Sequence, residues 1–296
     1  MQLNKLRGNT FFINAPTNIG VYTFKNKNCV LIDTGIDNTQ AGKLDQILQE
    51  SGLHPKYIIN THSHTDHCGG NLYFQKNYPG CQVYTSAIEK LFIESPVLHP
   101  AILFSASPLK GLGKVPRPVK IDLVFEIGIN KIEDKKFEIQ SLSGHTPGQI
   151  GITTPDSVSF LGDSIFSENI LGKYSFPNLF DVEQSINTLC ELKNNTAELY
   201  VISHMDKVIE KNQLSQLIDK NLNNINSYKE QILELLEQPL SREDLLENIC
   251  VLNDLSLDFK EYHLAFSTVS AFIKYFFDQH IVDYSLENGR LYYYKK

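Results

Sequence analysis

The sequence predicts a mixed α/β fold: a layered α/β domain over residues 1–205, followed by a mainly helical unit over residues 206–296. Short apolar runs rich in Val, Ile, Phe and Tyr recur up to residue 205, and amphipathic helical patterns lie between several of them. Strands that alternate with helices are typical of α/β layering. After His204 no strand-like run appears before Ile281. We place the domain boundary at this change of pattern.

Eight runs of the first domain are strand candidates, because each joins apolar, β-branched and aromatic residues in a short segment. In chain order they are residues 11–14, 20–24, 29–33, 57–60, 121–126, 137–142, 157–163 and 199–203. Helices are predicted over residues 37–51 and 181–193, where apolar residues keep the three-and-four spacing of one helix face.

The helical unit begins with a long apolar stripe from Leu214 to Leu236 at three-and-four spacing, which stops before Pro239. A second helix is predicted to begin at Ser241, a good N-cap with Asp244 three residues later. The long stripe exposes a row of apolar side chains unless the first domain or a second subunit covers it. A homodimer is therefore one expectation.

A third helix over residues 262–279 is followed by two strand-like runs that flank Asn288 and Gly289, a strong hairpin-turn pair. Three helices and a hairpin in this order make the unit winged-helix-like. The third helix would be the one that reads a nucleic acid, yet Lys274 is its only Lys or Arg. Residues 206–296 hold ten basic and fifteen acidic side chains, a balance of −5. The sequence therefore disfavours nucleic acid as a partner.

Composition and charge narrow the class of protein. The chain of 296 residues is 42% hydrophobic and 21% charged, as is ordinary for a folded globular protein, and its net charge of −7 argues against coating a polyanion. Neither a signal-peptide core nor a run of 18 apolar residues occurs, so we expect a cytoplasmic chain that is not exported and does not contact a membrane. Five cysteines without a CxxC pair fit free thiols in a reducing compartment.

The segment with the most chemical information is residues 58–70, IINTHSHTDHCGG, where a buried-strand pattern leads into four metal-binding side chains. His62 and His64, at spacing two in an extended loop, can turn both imidazoles toward one ion. Asp66 and His67, at the start of the next helix, can face a second ion. Four such groups are costly to desolvate together without a cation among them. The segment therefore predicts a metal site.

Three more ligand-type side chains each follow a strand candidate: His145, Asp163 and His204. The C-terminal ends of the strands converge on one edge in a layered α/β domain, so all seven ligands can meet in one place. Gly69 and Gly70 allow the backbone to pack closely behind the motif.

With HxHxDH followed by His, Asp and His, the sequence resembles the metallo-β-lactamase-fold hydrolases over about residues 10–205. The resemblance implies an αββα sandwich with a dinuclear metal site along one edge. It also implies that one ion takes three histidines and the other a mixed set, with one aspartate bridging them. Carried over to this chain, the first set is His62, His64 and His145, the second is Asp66, His67 and His204, and the bridging residue is Asp163.

Three positions refine this resemblance. True β-lactamases of this fold carry a cysteine where Asp163 stands, so the resemblance favours the glyoxalase II, lactonase and nuclease-like branches. Oxygen-reducing di-iron relatives carry a glutamate in place of His64, which disfavours that branch too. Asp33, in VLIDTG, matches the family's carboxylate that orients a ligand histidine.

The ligand set implies hydrolysis by a water-derived nucleophile. Two divalent ions about 3.5–4 Å apart hold a hydroxide between them, since coordination lowers the pKa of water from about 15.7 to about 7. Asp66 is the candidate catalytic residue, placed to orient the hydroxide or to accept its proton. Nitrogen and carboxylate ligands without thiolate favour zinc, with manganese or iron as alternatives.

The predicted substrate is a small ester, thioester or lactone. One alternative is a metal-dependent nuclease or phosphodiesterase, because some relatives with a winged-helix-like C-terminal unit resemble ribonucleases. The other is a mononuclear-iron persulfide dioxygenase, which uses two histidines and one aspartate of the same motif. Metal analysis separates this last alternative from a dinuclear hydrolase.

One loop outside the motifs bears on the substrate. Residues 105–121 contain Lys110, Lys114, Arg117 and Lys120 and no acidic residue. This loop is a candidate for capping the pocket and attracting an anionic substrate, although a solvated surface loop explains the same composition. The histidines outside the motifs are expected to be surface or packing residues: His54, His99, His263 and His280.

Overall fold

Two β-sheets face each other in the centre of the first domain, and helices cover the outer face of each. The computed structural model describes residues 1–112 and 115–296. Its buried side chains form three layers: one between the sheets, one beneath the helices on the first sheet and one beneath those on the second. This arrangement confirms the predicted α/β layering.

Among the described residues, the first sheet has seven strands in chain order, and the fourth to the seventh of them run parallel to one another. They are β1 (Leu3–Arg7), β2 (Thr10–Ile13), β3 (Ile19–Thr23), β4 (Asn28–Ile32), β5 (His54–Ile59), β6 (Gln82–Thr85) and β7 (Leu123–Val124). The second sheet runs in reverse chain order from β13 to β8. Its strands are β8 (Gly128–Ile132), β9 (Lys135–Ser141), β10 (Ile150–Thr153), β11 (Val158–Phe160), β12 (Leu199–Val201) and β13 (Ile209–Glu210).

Among the described residues, seven helices precede β13 in the chain. They are α1 (Asn38–Glu50), α2 (Thr65–Cys68), α3 (Asn71–Asn77), α4 (Ala87–Glu94), α5 (Leu98–Phe104), α6 (Glu168–Lys173) and α7 (Val182–Leu192), with a 3₁₀ turn at Lys110–Leu112. The elements after β13 are α8 (Lys211–Leu235), α9 (Arg242–Leu252), α10 (Phe259–Asp278) and the hairpin of β14 (Val282–Glu287) and β15 (Arg290–Lys295). No helix of the described ranges combines the length and the apolar character that a bilayer span requires.

Each of the eight predicted strand runs overlaps an observed strand, and both predicted helices of the first domain are present as α1 and α7. The structure adds β1, β6, β8, β10 and β13. Strand β10 contains Gly151, whose Cβ would lie 2.5 Å from Leu142 Cδ1, so close packing selects a weak strand former there. The prediction of no strand between His204 and Ile281 is wrong, because β13 lies in that range and pairs with β12. The strand has only two residues, which is too short for an alternating pattern in the sequence. The division at residue 205 stays a prediction, and the second sheet continues to Glu210.

The residues after 205, here called the C-terminal unit, begin with the long helix α8. Its apolar stripe is buried in one continuous core with α7 of the first domain and with α9 and α10. The stripe is therefore covered within one chain, and the homodimer stays a prediction that this stripe does not require. Ser241 caps α9 as predicted, since its Oγ accepts from the Asp244 N–H at 3.2 Å.

The C-terminal hairpin turns at the predicted pair, Asn288 and Gly289, both with positive φ (50° and 81°), as a tight hairpin turn requires. A short extended stretch between α8 and α9 joins this hairpin. Leu240 and Tyr293 exchange two backbone hydrogen bonds, of 3.0 and 2.8 Å, in a single antiparallel bridge. The order of the unit is therefore helix, bridging residue, helix, helix and hairpin.

Candidate metal centre

The loop after β5 carries the HxHxDH motif across the edge between the sheets. His62 to His64 form the extended part, and α2 begins at Thr65, so Asp66 and His67 lie in a first helical turn as predicted. Gly69 and Gly70 allow close packing behind this turn. Their Cβ atoms would lie 2.0 Å from Ile36 O and 2.4 Å from Thr34 O, so any side chain here would push the motif out of place.

Three imidazoles converge on one point and form what we call the trihistidine set: His62, His64 and His145. His64 Nδ1 lies 3.1 Å from His62 Nε2 and 3.0 Å from His145 Nε2. The other ring nitrogens of two members are engaged, since His145 Nδ1 donates to Asn178 O at 2.9 Å and His62 Nδ1 donates to Thr61 Oγ1 at 3.0 Å. These bonds leave the converging Nε2 atoms with free lone pairs.

Four side chains form a second cluster beside the first, the carboxylate set: Asp66, His67, Asp163 and His204. Asp66 Oδ2 lies 3.5 Å from His67 Nε2 and 3.4 Å from His204 Nε2. Asp163 Oδ2 lies 3.5 Å from His67 Nε2, 3.3 Å from His204 Nε2 and 3.7 Å from His145 Nε2. Asp163 therefore presents one carboxylate oxygen to nitrogens of both sets.

Asp33, at the end of β4, fixes His67 from behind. Its Oδ2 accepts from His67 Nδ1 at 2.8 Å and from Thr61 Oγ1 at 2.8 Å, and its Oδ1 accepts from the Thr61 N–H at 2.8 Å. Asp33 holds a left-handed backbone with φ of 63°, which Asp tolerates better than most residues. The carboxylate thus sets the tautomer that points His67 Nε2 into the carboxylate set, as the sequence predicts.

The donor atoms of both sets fit cations. His67 Nε2 is fully buried and has no hydrogen-bond partner in the described part of the chain, although such atoms are nearly always paired. Burial lowers the pKa of His67, but the carboxylates of Asp163, Asp66 and Asp33 outweigh burial and raise this pKa well above its usual range. The pocket therefore favours positive charge at that nitrogen, which a divalent cation would supply.

The electrostatics of the two sets differ. Burial, reinforced by neighbouring imidazoles, lowers the pKa of both His62 and His64 well below the usual value, so both rings are neutral donors at neutral pH. Burial also lowers the pKa of His204, but hydrogen bonds to Asp163 and Asp66 outweigh it and raise this pKa to about 10. The trihistidine set can donate neutral lone pairs to a cation, whereas the carboxylate set attracts positive charge.

Two residues near the centre were not predicted. Glu89 is fully buried and ties the two ligand loops together: it accepts from the Ser63 N–H at 2.9 Å, from Thr146 Oγ1 at 2.6 Å and from the Gly148 N–H at 2.9 Å. His99 donates from Nε2 to Ser63 Oγ at 2.8 Å. The sequence offers one signal for Glu89, a Ser-x-x-Glu helix start, but none for its burial.

His99 packs against a neighbouring ring, as expected, but it also lies beside the metal centre. Its ring lies 5.1 Å from the His64 ring and 4.6 Å from the Phe92 ring, centroid to centroid. Burial, with His145 and Lys260 nearby, lowers the pKa of His99 to about 4. Helix α5, which the sequence pattern did not reveal, carries His99 to the centre.

The remaining predicted positions lie away from the ligands or at the surface. His54 and His280 are exposed, and His263 packs on α10 against Phe104 and Phe259, as expected of surface or packing residues. In the basic loop, Lys114 lies outside the described residues. Lys110, Arg117 and Lys120 are exposed, and the 3₁₀ turn of this loop contacts α10.

Comparisons with known proteins agree with this geometry. Residues 14–204 match the family model of the metallo-beta-lactamase superfamily. The chain is 31% identical over 153 residues to a hydroxyacylglutathione hydrolase of Haemophilus influenzae, covering 51% of this chain and 67% of that one. It is 27% identical over 202 residues to a hydroxyacylglutathione hydrolase of Buchnera aphidicola, covering 68% of each.

A solved structure extends the likeness of fold to the C-terminal unit. A metallo-beta-lactamase family protein of Thermus thermophilus superposes with a TM-score of 0.72 at 20% identity, covering 97% of this chain and 99% of that one. Its fold is therefore similar over nearly the whole length, including the helices after residue 205.

Proposed function

Because the chain belongs to the metallo-beta-lactamase superfamily, we propose that it is a dinuclear hydrolase that cleaves a small ester, thioester or lactone. The family and the enzyme class that the motif predicts, a metal-dependent hydrolase, are confirmed by the family match and by the named relatives. The number of ions, their identity and the substrate belong to the proposal.

One observation supports the dinuclear centre above all others: two separate donor sets share Asp163 Oδ2. In this proposal the trihistidine set holds one ion, the carboxylate set holds the other and Asp163 bridges them. Zinc fits nitrogen and carboxylate donors without thiolate, with manganese and iron as alternatives. When bound, two such ions lower the pKa of a water from about 15.7 to about 7 and polarise the carbonyl that is attacked.

Asp66 is the proposed catalytic residue. Its side chain is about one-third exposed, the most accessible of the carboxylate set, and Thr17 Oγ1 donates to its Oδ2 at 3.1 Å. The positive charges around His67 and His204 outweigh the effect of burial and hold the pKa of Asp66 well below its usual range. An ionised carboxylate beside the reacting water orients it and accepts a proton from it.

The names of the relatives favour a thioester within the proposed substrate class. The two relatives described above are hydroxyacylglutathione hydrolases, which are named for a glutathione conjugate. An anionic substrate is part of the proposal, since Lys260 lies close enough to His99 to lower its pKa and the basic loop contacts the same helix. A cytoplasmic location stays part of the proposal and is supported by five free cysteines.

A nuclease is the weaker alternative. The C-terminal unit is proposed to be winged-helix-like, supported by the bridge between Leu240 and Tyr293 that joins the stretch before α9 to the hairpin. The observed helix α10 begins at Phe259 and so adds Lys260 to the predicted recognition helix. Lys274, the one Lys or Arg of the predicted range 262–279, lies 3.2 Å from Asp181 Oδ2 and 3.3 Å from Asp278 Oδ2. It is therefore engaged by carboxylates, and a duplex reader needs several cations free for phosphates.

The proposal is tested by metal analysis and a substrate panel. We expect about two ions per chain and turnover of acyl thioesters or lactones, but not of phosphodiesters. The Asp66→Asn variant should retain its ions more fully than its activity. One iron per chain with persulfide oxidation would establish the mononuclear dioxygenase instead, and phosphodiester cleavage would promote the nuclease.

A further inference from the structure

A short segment joins the C-terminal unit to the loop of His145. Residues 174–181, here called the connecting segment, lie between α6 and α7. At one end of the segment, the N–H groups of Phe180 and Asp181 donate to Gly144 O at 2.8 and 3.0 Å. Gly144 directly precedes His145, so the connecting segment holds the ligand loop itself.

The opposite side of the connecting segment is fastened to the C-terminal unit. Asn224 Nδ2 donates to Ser175 O at 2.9 Å, and the Tyr228 hydroxyl donates to Ser175 Oγ at 3.0 Å. The Phe176 ring stacks on the Phe272 ring with centroids 5.9 Å apart. Helices α8 and α10 therefore both fix the position of this segment.

One peptide unit carries this connection to the metal centre. The C=O of Asn178 accepts from His145 Nδ1 at 2.9 Å, and the N–H of Leu179, in the same peptide unit, donates to Thr268 Oγ1 at 3.1 Å. A trans peptide is planar, so its C=O and N–H point in opposite directions and cannot turn independently. Thr268 is fully buried and donates its own proton to Leu264 O at 3.2 Å, which leaves a lone pair for Leu179.

We infer that Thr268 of α10 is a positioning residue for His145: it fixes the plane of the 178–179 peptide, and that peptide orients the imidazole whose Nε2 completes the trihistidine set. This inference rests on the proposed function, because it gives the C-terminal unit a role only if the trihistidine set holds an ion. The unit is then part of the support of one half of the metal centre, although it supplies none of the seven ligands.

The expected size of the effect follows from the length of the chain of hydrogen bonds. Changing the direct outer partner of a ligand histidine costs about 10- to 100-fold in metal affinity or activity. Thr268 lies one hydrogen bond further out, so we expect a loss of about three- to tenfold. Without its acceptor, the buried Leu179 N–H would be unpaired, and the peptide would turn toward another acceptor and move Asn178 O away from His145.

The test compares variants of the full chain that remove or keep this acceptor. Thr268→Val keeps the shape of the side chain and removes the hydroxyl, Thr268→Ala removes the hydroxyl with less bulk, and Thr268→Ser keeps it. Tyr228→Phe is the matched control, because it deletes another hydrogen bond, a part-buried one, between the C-terminal unit and the connecting segment, but not the one on the 178–179 peptide. Affinity for each ion is measured by chelator competition, and the cobalt(II)-substituted protein reports the ligand geometry by its visible spectrum.

We expect Thr268→Val and Thr268→Ala to weaken one ion about three- to tenfold and to change the cobalt spectrum, while the second ion, Thr268→Ser and Tyr228→Phe stay near wild type. Equal losses in Thr268→Val and Tyr228→Phe, or equal losses of both ions, would overturn the inference. So would wild-type affinities and spectra in both hydroxyl-free variants. A wild-type protein that binds no ion would overturn the proposed function and this inference together, and is thus distinct from the other outcomes.

Discussion

The trihistidine set and the carboxylate set form the two halves of the candidate metal centre, and they differ in the charge that they offer to an ion. The trihistidine set consists of imidazoles, and burial keeps its His62 and His64 neutral, so it offers lone pairs but no charge to balance an ion. The carboxylate set contains Asp66 and Asp163, and Asp33 stands directly behind His67. Charge therefore comes from one half, while the other contributes mainly direction. Asp163 Oδ2, within 3.7 Å of nitrogens from both halves, is where the two meet.

The halves also differ in what supports them. In the carboxylate set, His67 Nδ1 donates to Asp33 at the end of β4, and His204 Nδ1 donates to Pro16 O at 2.8 Å. Both hydrogen-bond partners belong to the first domain. In the trihistidine set, His145 Nδ1 donates to the backbone carbonyl of Asn178 in the connecting segment. A change at Thr268 should therefore reach the trihistidine set, and a change at Asp33 the carboxylate set.

The largest expected effect follows from removing the shared ligand. Asp163→Ala should lower the content of both ions, because its Oδ2 serves nitrogens of both sets. His145→Ala should release one ion and leave about one per chain. Both contents are measured by elemental analysis of the purified protein after dialysis. His54→Ala is the control, since His54 is exposed at the start of β5.

Equal metal content in the wild type and Asp163→Ala would remove the bridging assignment. Loss of a single ion in Asp163→Ala would instead make Asp163 a ligand of one set only. The two sets would then share no ligand.

A smaller effect is expected where the first domain supports His67. Asp33→Asn should weaken one ion about 10- to 100-fold, since an amide must present an NH₂ group to either the His67 Nδ1–H or the Thr61 N–H. Asn tolerates the left-handed backbone of this position, so the substitution adds little strain. The affinity of each ion is measured by chelator competition.

Asp156→Asn is a matched control for this variant. Asp156 Oδ2 also accepts a backbone N–H and a threonine hydroxyl, from Asn9 at 2.7 Å and Thr10 at 2.8 Å, but it touches no histidine. If Asp33→Asn and Asp156→Asn bind metal equally well, Asp33 is a turn residue and gives no support to the centre.

The seven proposed ligands could be predicted from sequence because their patterns are local. The motif from His62 to His67 is nearly contiguous, and His145, Asp163 and His204 each follow a strand, so strand ends were enough to predict where they meet. The same holds for the capping residues and turns of the C-terminal unit, where Ser241 and Asn288 act within a few residues of themselves.

Apart from Asp33, the supporting residues could not be predicted, because their roles depend on packing between distant elements. Glu89 and His99 meet the motif through α4 and α5, and Thr268 meets Leu179 across 89 residues of chain. The sequence marks Glu89 only as part of a helix start, and it does not mark His99 or Thr268. The short strand β13 was not predicted for a related reason. Two residues are too few to show the alternation of apolar and polar side chains, and only the pairing with β12 makes them a strand.

The smallest expected effect is a pH dependence that distinguishes the halves in the metal-free protein. Asp163 and Asp66 raise the pKa of His204 to about 10 in the folded protein, whereas an unfolded histidine has a pKa of about 6.5. The stability that this ion pairing contributes is fully present below about pH 6.5 and is lost as pH rises through about 10. His62 and His64, whose pKa values are lowered, destabilise the fold only below about pH 6.5 and so do not oppose this trend above it. Metal binding replaces the lost protons, so the difference in melting temperature between metal-loaded and metal-free protein should grow by a few degrees between about pH 7 and about pH 9.

The control for this prediction is the His204→Ala variant, in which the difference in melting temperature should grow less with pH. A difference that shrinks with rising pH, or that grows equally in His204→Ala, would mean that the carboxylate set does not carry the charge of the centre.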